Sequence, residues 1–164
     1  MFQKKLEFAF VSLILIATTV LIYNYYNSYT FKHSPLPKSY LQEIALKEKE
    51  VLKNMQRNFG FSQKFELIIT DDIPGRLYGL TSYDKGLIKI YLNKKVMQES
   101  FKYIIESVIA HEYAHALMFK LSRDTKEKAG HSDEWKRTCQ LLGGKDCRQY
   151  VNQREIIISK MPFQ

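Results

Sequence analysis

The sequence predicts an α+β fold in which a small antiparallel sheet packs with several amphipathic helices, preceded by one transmembrane helix near the N-terminus. Three observations predict it. Residues 8–23 (FAFVSLILIATTVLIY) carry no charge. Residues 64–92 hold β-rich runs broken by turn residues. The stretches around 40–59 and 99–120 place apolar residues near the helical period.

The apolar run comes first. Leu6 extends it to about 18 residues, near the lower limit for spanning a bilayer. Lys4 and Lys5 precede it, and Asn24, Tyr25, Tyr26 and Asn27 follow. Small residues of a cleavage site do not follow it, and neither does a cysteine that could carry a lipid. The tyrosines fit an interfacial aromatic belt instead. The expectation is a retained signal anchor at 6–26, a cytoplasmic segment at 1–5, a linker at 27–38 and a folded domain at 39–164. Lys4 and Lys5 lie closer to the span than Lys32 and Lys38, so the positive-inside rule puts the domain on the extracytoplasmic side.

The domain opens with a helix from about Tyr40 to Phe59. Leu41, Ile44, Ala45, Leu52, Met55 and Phe59 form its apolar face, and Gly60 stands where a C-cap belongs. KFELIIT (64–70) then alternates as a strand, ended by Asp71-Asp72-Ile73-Pro74-Gly75. RLYGLTSY and LIKIYL flank Asp84-Lys85-Gly86 and read as a hairpin. A long helix covers 99–120, with Phe101, Ile104, Ile105, Val108 and Ile109 on its apolar side. A polar loop runs from Ser122 to Gly130, and a last helix begins near His131 or Ser132 and stops at Gly143-Gly144. REIIIS (154–159) has the composition of a strand.

Charge and cysteines limit the function classes. The net charge of +8 favours anionic partners, but the charges are interspersed, as in LQEIALKEKEVLKNMQR, which describes a solvated face. Cys139 and Cys147 are the only cysteines and do not form a C-x-x-C pair, which excludes a redox motif or zinc ribbon in this sequence. A disulfide between them suits an exported domain; two reduced thiols would suit a cytosolic one.

The chemistry lies in the long helix, at His111-Glu112-Tyr113-Ala114-His115. Four residues advance a helix by slightly more than one turn, so both imidazoles leave one face and can grip one ion. Glu112 follows the first of them and can take a proton from an attacking water, the role of a general base. Zinc suits the site because it polarises a carbonyl and acidifies water without redox chemistry. The alternative is a chance match with two packed or solvated histidines. A third ligand is expected downstream. Met118 and Leu121 break the HExxHxxGxxH continuation. Of the remaining histidines, His33 lies beside the membrane segment, whereas His131 in GHSDEW follows a loop long enough to bring a second helix over the first. His131 is therefore the expected third ligand, with Glu134 as its rival and Glu127 a weaker one.

At these residues the sequence resembles the SprT-like zinc metallopeptidases. GLTSYDKGLIKIYLN (79–93), VIAHEYAHALMF (108–119) and GHSDEWKRTCQLLG (130–143) carry the resemblance, which covers roughly residues 40–145. It implies a zincin-like fold, one zinc ion held by His111, His115 and His131, and Glu112 as catalytic base. It also implies a polypeptide substrate lying beside LIKIYL as edge strand, and Trp135 as a core residue locking the ligand helix onto the active-site helix. Tyr83, Arg148 and Tyr150 are candidates for stabilising an oxyanion. Two alternatives stay open: a cytoplasmic protease acting on DNA-bound proteins, and a zinc-binding interaction module without turnover. Nucleic acid is not an expected partner of an exported domain.

Overall fold

The computed structural model describes residues 2–73, 77–121 and 131–148; the loop at 122–130 and the strand expected at 154–159 lie outside them. The chain divides into two units, residues 1–36 and 37–164.

The first unit is one helix, α1 (Phe2–His33). Its 32 residues extend about 48 Å at 1.5 Å per residue, more than the roughly 30 Å of a hydrocarbon core. Gln3–His33 is long and apolar enough to cross a membrane. The residues expected to form a linker after 26 continue this helix as far as His33. Tyr25, Tyr29 and His33 recur every fourth residue and stack, with ring centroids 6.5 and 4.1 Å apart, and the first helix-breaking residue is Pro35.

The second unit is α+β. Its helices are α2 (Lys38–Phe59), α3 (Lys94–Tyr103), α4 (Ile109–Lys120) and α5 (Asp133–Leu141), and its strands are β1 (Glu66–Thr70), β2 (Gly79–Asp84) and β3 (Leu87–Asn93). The sheet order is β1-β3-β2. Two expectations are corrected here. The sheet is mixed, because β1 runs parallel to β3 while β2 and β3 form the antiparallel hairpin. LIKIYL is the central strand, and the edges are β1 on one side and the hairpin strand β2, GLTSYD, on the other. Burial agrees with this placement: Ile90 and Leu92 of β3 are fully buried and Ile88 nearly so, each contributing about 1.5–3 kcal/mol.

The helix α2 ends at Gly60, whose φ of 77° is the left-handed conformation expected of a glycine C-cap. Its buried face is Ile44, Lys47, Glu48, Val51 and Met55, rotated from the predicted one: Ile44 and Met55 are buried as expected, Leu52 and Phe59 are half-buried, and Leu41 and Ala45 are exposed. Pairing makes the two buried charges tolerable. Glu48 accepts from the Tyr113 hydroxyl at 2.7 Å and pairs with Lys64 at 2.8 Å. Lys47 donates to Glu50 at 2.9 Å and to the Gly143 carbonyl at 3.0 Å.

The helix predicted at 99–120 begins earlier and is interrupted. The Asn93 side chain caps α3, its Oδ1 accepting from the Lys95 backbone amide at 3.0 Å while its Nδ2 donates to the Leu77 carbonyl at 2.7 Å. Ser100 leaves helical geometry at φ −134°, and Ile104–Val108 form a π-helical turn leading into α4. The segment after α5 packs on this turn: the Lys145 amide donates to the Glu106 carbonyl at 3.0 Å, and the Asp146 amide to Ser107 Oγ at 3.1 Å. A disulfide joins Cys139 on α5 to Cys147 in that segment. It closes a loop of sequence separation 8, which by loop entropy stabilises the fold by about 2.5 kcal/mol. The double variant Cys139→Ala/Cys147→Ala should lose roughly that much in urea unfolding, with the wild type moving to the variant's midpoint on addition of reductant.

Candidate metal site

The helix α4 is held on two sides, by β2 and by α5. From β2, the Thr81 hydroxyl oxygen lies 2.7 Å from Glu112 Oε2 and 2.9 Å from the Glu112 carbonyl oxygen. The hydroxyl has one proton and donates to one of these acceptors at a time. Gly79 lets the strand come this close, since a Cβ there would sit 2.7 Å from Glu112 Oε1 and 2.9 Å from Val108 Cγ1. Glu112 is thus only 5% exposed, with one carboxylate oxygen against a hydroxyl. Burial pushes its carboxyl up to about 7, while the bond to Thr81 pulls in the other direction.

From the other side, α5 delivers His131 and Trp135. Ser132 caps the helix by accepting from the Trp135 amide at 3.2 Å. His131 stands just before that cap at φ 95°, a left-handed conformation that a β-carbon makes costly. Such strain persists only where the surroundings over-determine it, and it collects at functional sites. Trp135 is 2% exposed, and its ring lies 4.6, 4.9 and 4.4 Å from the rings of His111, His115 and His131. The indole therefore forms a common wall for all three imidazoles, in keeping with the core role expected of it. Its Nε1 has no hydrogen-bond partner among the described residues, and nothing in the structure explains this.

His111, His115 and His131 come together as the sequence predicts. His111 Nε2 lies 3.3 Å from His115 Nε2 and 3.2 Å from His131 Nε2, and one ligand atom from each residue falls within 4.8 Å of the others. Two nitrogens about 2.05 Å from one tetrahedral zinc would be about 3.3 Å apart, so the donor set fits a single ion. Two of these imidazoles, His111 and His115, are also held in the neutral form. Burial lowers His111 to about 4, with His131 adding to the shift and Asp146 opposing it; burial, His111 and His131 lower His115 to about 3. Neutral imidazoles are what a metal needs. All three remain partly exposed, so an ion or a substrate can reach them.

The other candidates separate from this cluster. Glu134, on the first turn of α5, is not among the grouped donor atoms, and Glu127 lies outside the described residues. Tyr83 stacks on Phe119 at 5.5 Å, and the Arg148 guanidinium is held by Asp146 at 2.7 and 3.0 Å. Tyr150 lies outside the described residues. Sequence reasoning missed Gly79 and Thr81. The only signal for them was a glycine and a hydroxyl two residues apart in the strand before the motif, and their approach to Glu112 is a tertiary fact.

The SprT-like family model matches residues 26–155. The chain belongs to the SprT-like family. No curated protein matches it. The family is associated with zinc and with metallopeptidase-like domains. In this SprT-like domain the residues that resemble the family's motif are those which the fold gathers around one point.

The raised carboxyl of Glu112 has a measurable consequence in the metal-free protein. An unfolded carboxyl loses its proton near 4.5, whereas the folded one keeps it until about 7. The folded state therefore binds more protons between those values, and stability falls as pH rises through them. Glu112→Gln removes this penalty. Its stability advantage over the wild type should open between pH 4.5 and 7 and then level off, reaching on the order of 3 kcal/mol. Urea unfolding with a chelator present checks this, and a gap independent of pH would contradict it.

Proposed function

We propose that this chain is a membrane-anchored zinc metalloendopeptidase, with His111, His115 and His131 holding the ion and Glu112 acting as general base. The observation that carries the reading is the meeting of three imidazoles, His111 Nε2 lying 3.3 and 3.2 Å from Nε2 of His115 and His131, next to a buried carboxylate. A closed structural zinc site usually has four protein ligands and needs no such carboxylate.

Zinc, when bound, supplies a Lewis acid that polarises the scissile carbonyl and makes water acidic enough to attack it near neutral pH. Glu112 accepts the proton from the attacking water at a carboxylate oxygen and later gives it to the leaving amine. Burial raises this carboxyl's affinity for a proton, which favours taking one up from water. Thr81 keeps the carboxylate in place between the two transfers. Trp135 prevents the imidazoles from turning away. The edge strand β2 is the natural rail for an extended polypeptide, because backbone pairing holds a peptide without reading its sequence. This assigns to GLTSYD the role first given to LIKIYL.

Two features support an extracytoplasmic domain. The basic residues nearest the uncharged run 8–23, Lys4 and Lys5, precede it. The two cysteines are joined, as they are in oxidising compartments. A reporter fused at the C-terminus and active only after export should be active. Activity of a cytoplasm-only reporter would instead favour a cytoplasmic protease.

The deciding experiment uses the full chain in detergent. Wild type and Glu112→Gln should each carry about one zinc, His131→Ala much less, and only the wild type should cut unfolded casein. Glu112→Gln should lose at least a hundredfold in rate. Zinc without cutting of any substrate would move the chain to a non-catalytic role, and absence of zinc from all three proteins would overturn the assignment.

A further inference from the structure

One cavity beside the metal site plays no part in that mechanism. It has a volume of about 490 Å³ and lies between the helical run that leads into α4 and the exposed face of α5, with the segment after α5 forming its floor. Its lining includes four cationic side chains, Lys102, Lys136, Lys145 and Arg148, but only two carboxylates, Glu106 and Asp146. Both carboxylates are already engaged, Glu106 by Lys145 at 2.6 Å and Asp146 by Arg148 at 2.7 Å. Lys102 and Lys136 have no carboxylate within ion-pair distance among the described residues. Two positive charges in one concave wall therefore lack a counter-charge, and a small pocket concentrates their field on whatever enters.

The pocket's position ties it to the reaction. Ser107, in its wall, lies four residues before His111, about one turn along the same helical run. Lys136 follows Trp135, whose ring touches all three imidazoles.

We propose that the pocket walled by Lys102 and Lys136 is a specificity subsite that takes an acidic side chain, Asp or Glu, on one side of the scissile bond. The proposal rests on the peptidase reading for its meaning in catalysis, and its test is built so that the two can fail separately. Charge-assisted bonds from two ammonium groups suit a carboxylate, and the volume accommodates one such side chain with its waters.

The test takes full-length, zinc-loaded Glu112→Gln protein in detergent and measures, by fluorescence anisotropy, binding of an Asp-containing peptide and of the same peptide with Asn in place of Asp. The Asp peptide should bind roughly tenfold tighter, and Lys102→Glu/Lys136→Glu should abolish the difference while leaving the Asn peptide unchanged. Lys102→Gln/Lys136→Gln, which removes charge without reversing it, should fall between, and zinc content monitors folding of both. Equal binding of the two peptides by the starting protein overturns the proposal. So does displacement of the Asp peptide by a single-stranded oligonucleotide at equal charge concentration, because the surface would then be a general polyanion site. With active protein and a peptide library, acidic residues should recur at one fixed position relative to the cut; cuts without that preference overturn the subsite and leave the peptidase standing. Discrimination between the peptides without cutting by wild type would overturn the peptidase and leave the basic pocket standing.

Discussion

The domain depends on keeping three imidazoles close together and still partly open to solvent. Nitrogens 3.2–3.3 Å apart repel one another if any two carry protons towards the centre, so the arrangement must be imposed from outside. The imposition comes from burial and from Trp135, which backs all three rings. Two of the histidines share one helix and cost little to align. The third reaches them only because α5 docks on α4 and His131 accepts a left-handed backbone conformation just before the helix cap. The protein thus places its local strain where the ligand set is completed.

Glu112, one residue beyond the first histidine on the same helix, is governed by its contact with β2. A carboxylate facing open water would stay fully ionised; here β2 comes so close that Gly79 has no room for a Cβ, and Thr81 supplies a single hydroxyl. Desolvation then outweighs that one bond, and the carboxyl titrates near neutrality. The edge strand thereby shapes the base as well as offering itself to a peptide. Deeper in the domain, the buried Glu48 links α2, Lys64 and the Tyr113 hydroxyl. The residue between the base and the second histidine is therefore anchored to the far side of the fold.

The segment after α5 connects the remaining parts. Its amides reach the π-helical turn ahead of α4, and its cysteine is tied back to α5. A π-turn leaves backbone carbonyls without their usual partners, and here Lys145 takes one of them. The same segment floors the basic pocket, so the elements that steady the metal helix also shape the wall beside it.

Much of this was legible in the sequence because it depends on local periodicity. The spacing of His111 and His115, the helix C-cap at Gly60, the hairpin around Gly86, the helix end near Gly143 and the apolar helix are all readable from neighbours within a few residues. His131 was reachable by elimination among four histidines and by the resemblance of its surrounding segment. Only the tertiary structure decided which strand lies at the edge, since a hairpin pattern is the same whichever of its strands a third one joins. It also decided the rotation of α2, where Lys47 and Glu48 face inward because partners distant in sequence neutralise them. Period counting treats every charge as solvent-facing and cannot foresee such a partner. The closeness of Gly79 and Thr81 to Glu112 was out of reach for the same reason: sequence patterns carry the direction of a side chain along its own element, while the distance between two elements is set by how their faces pack.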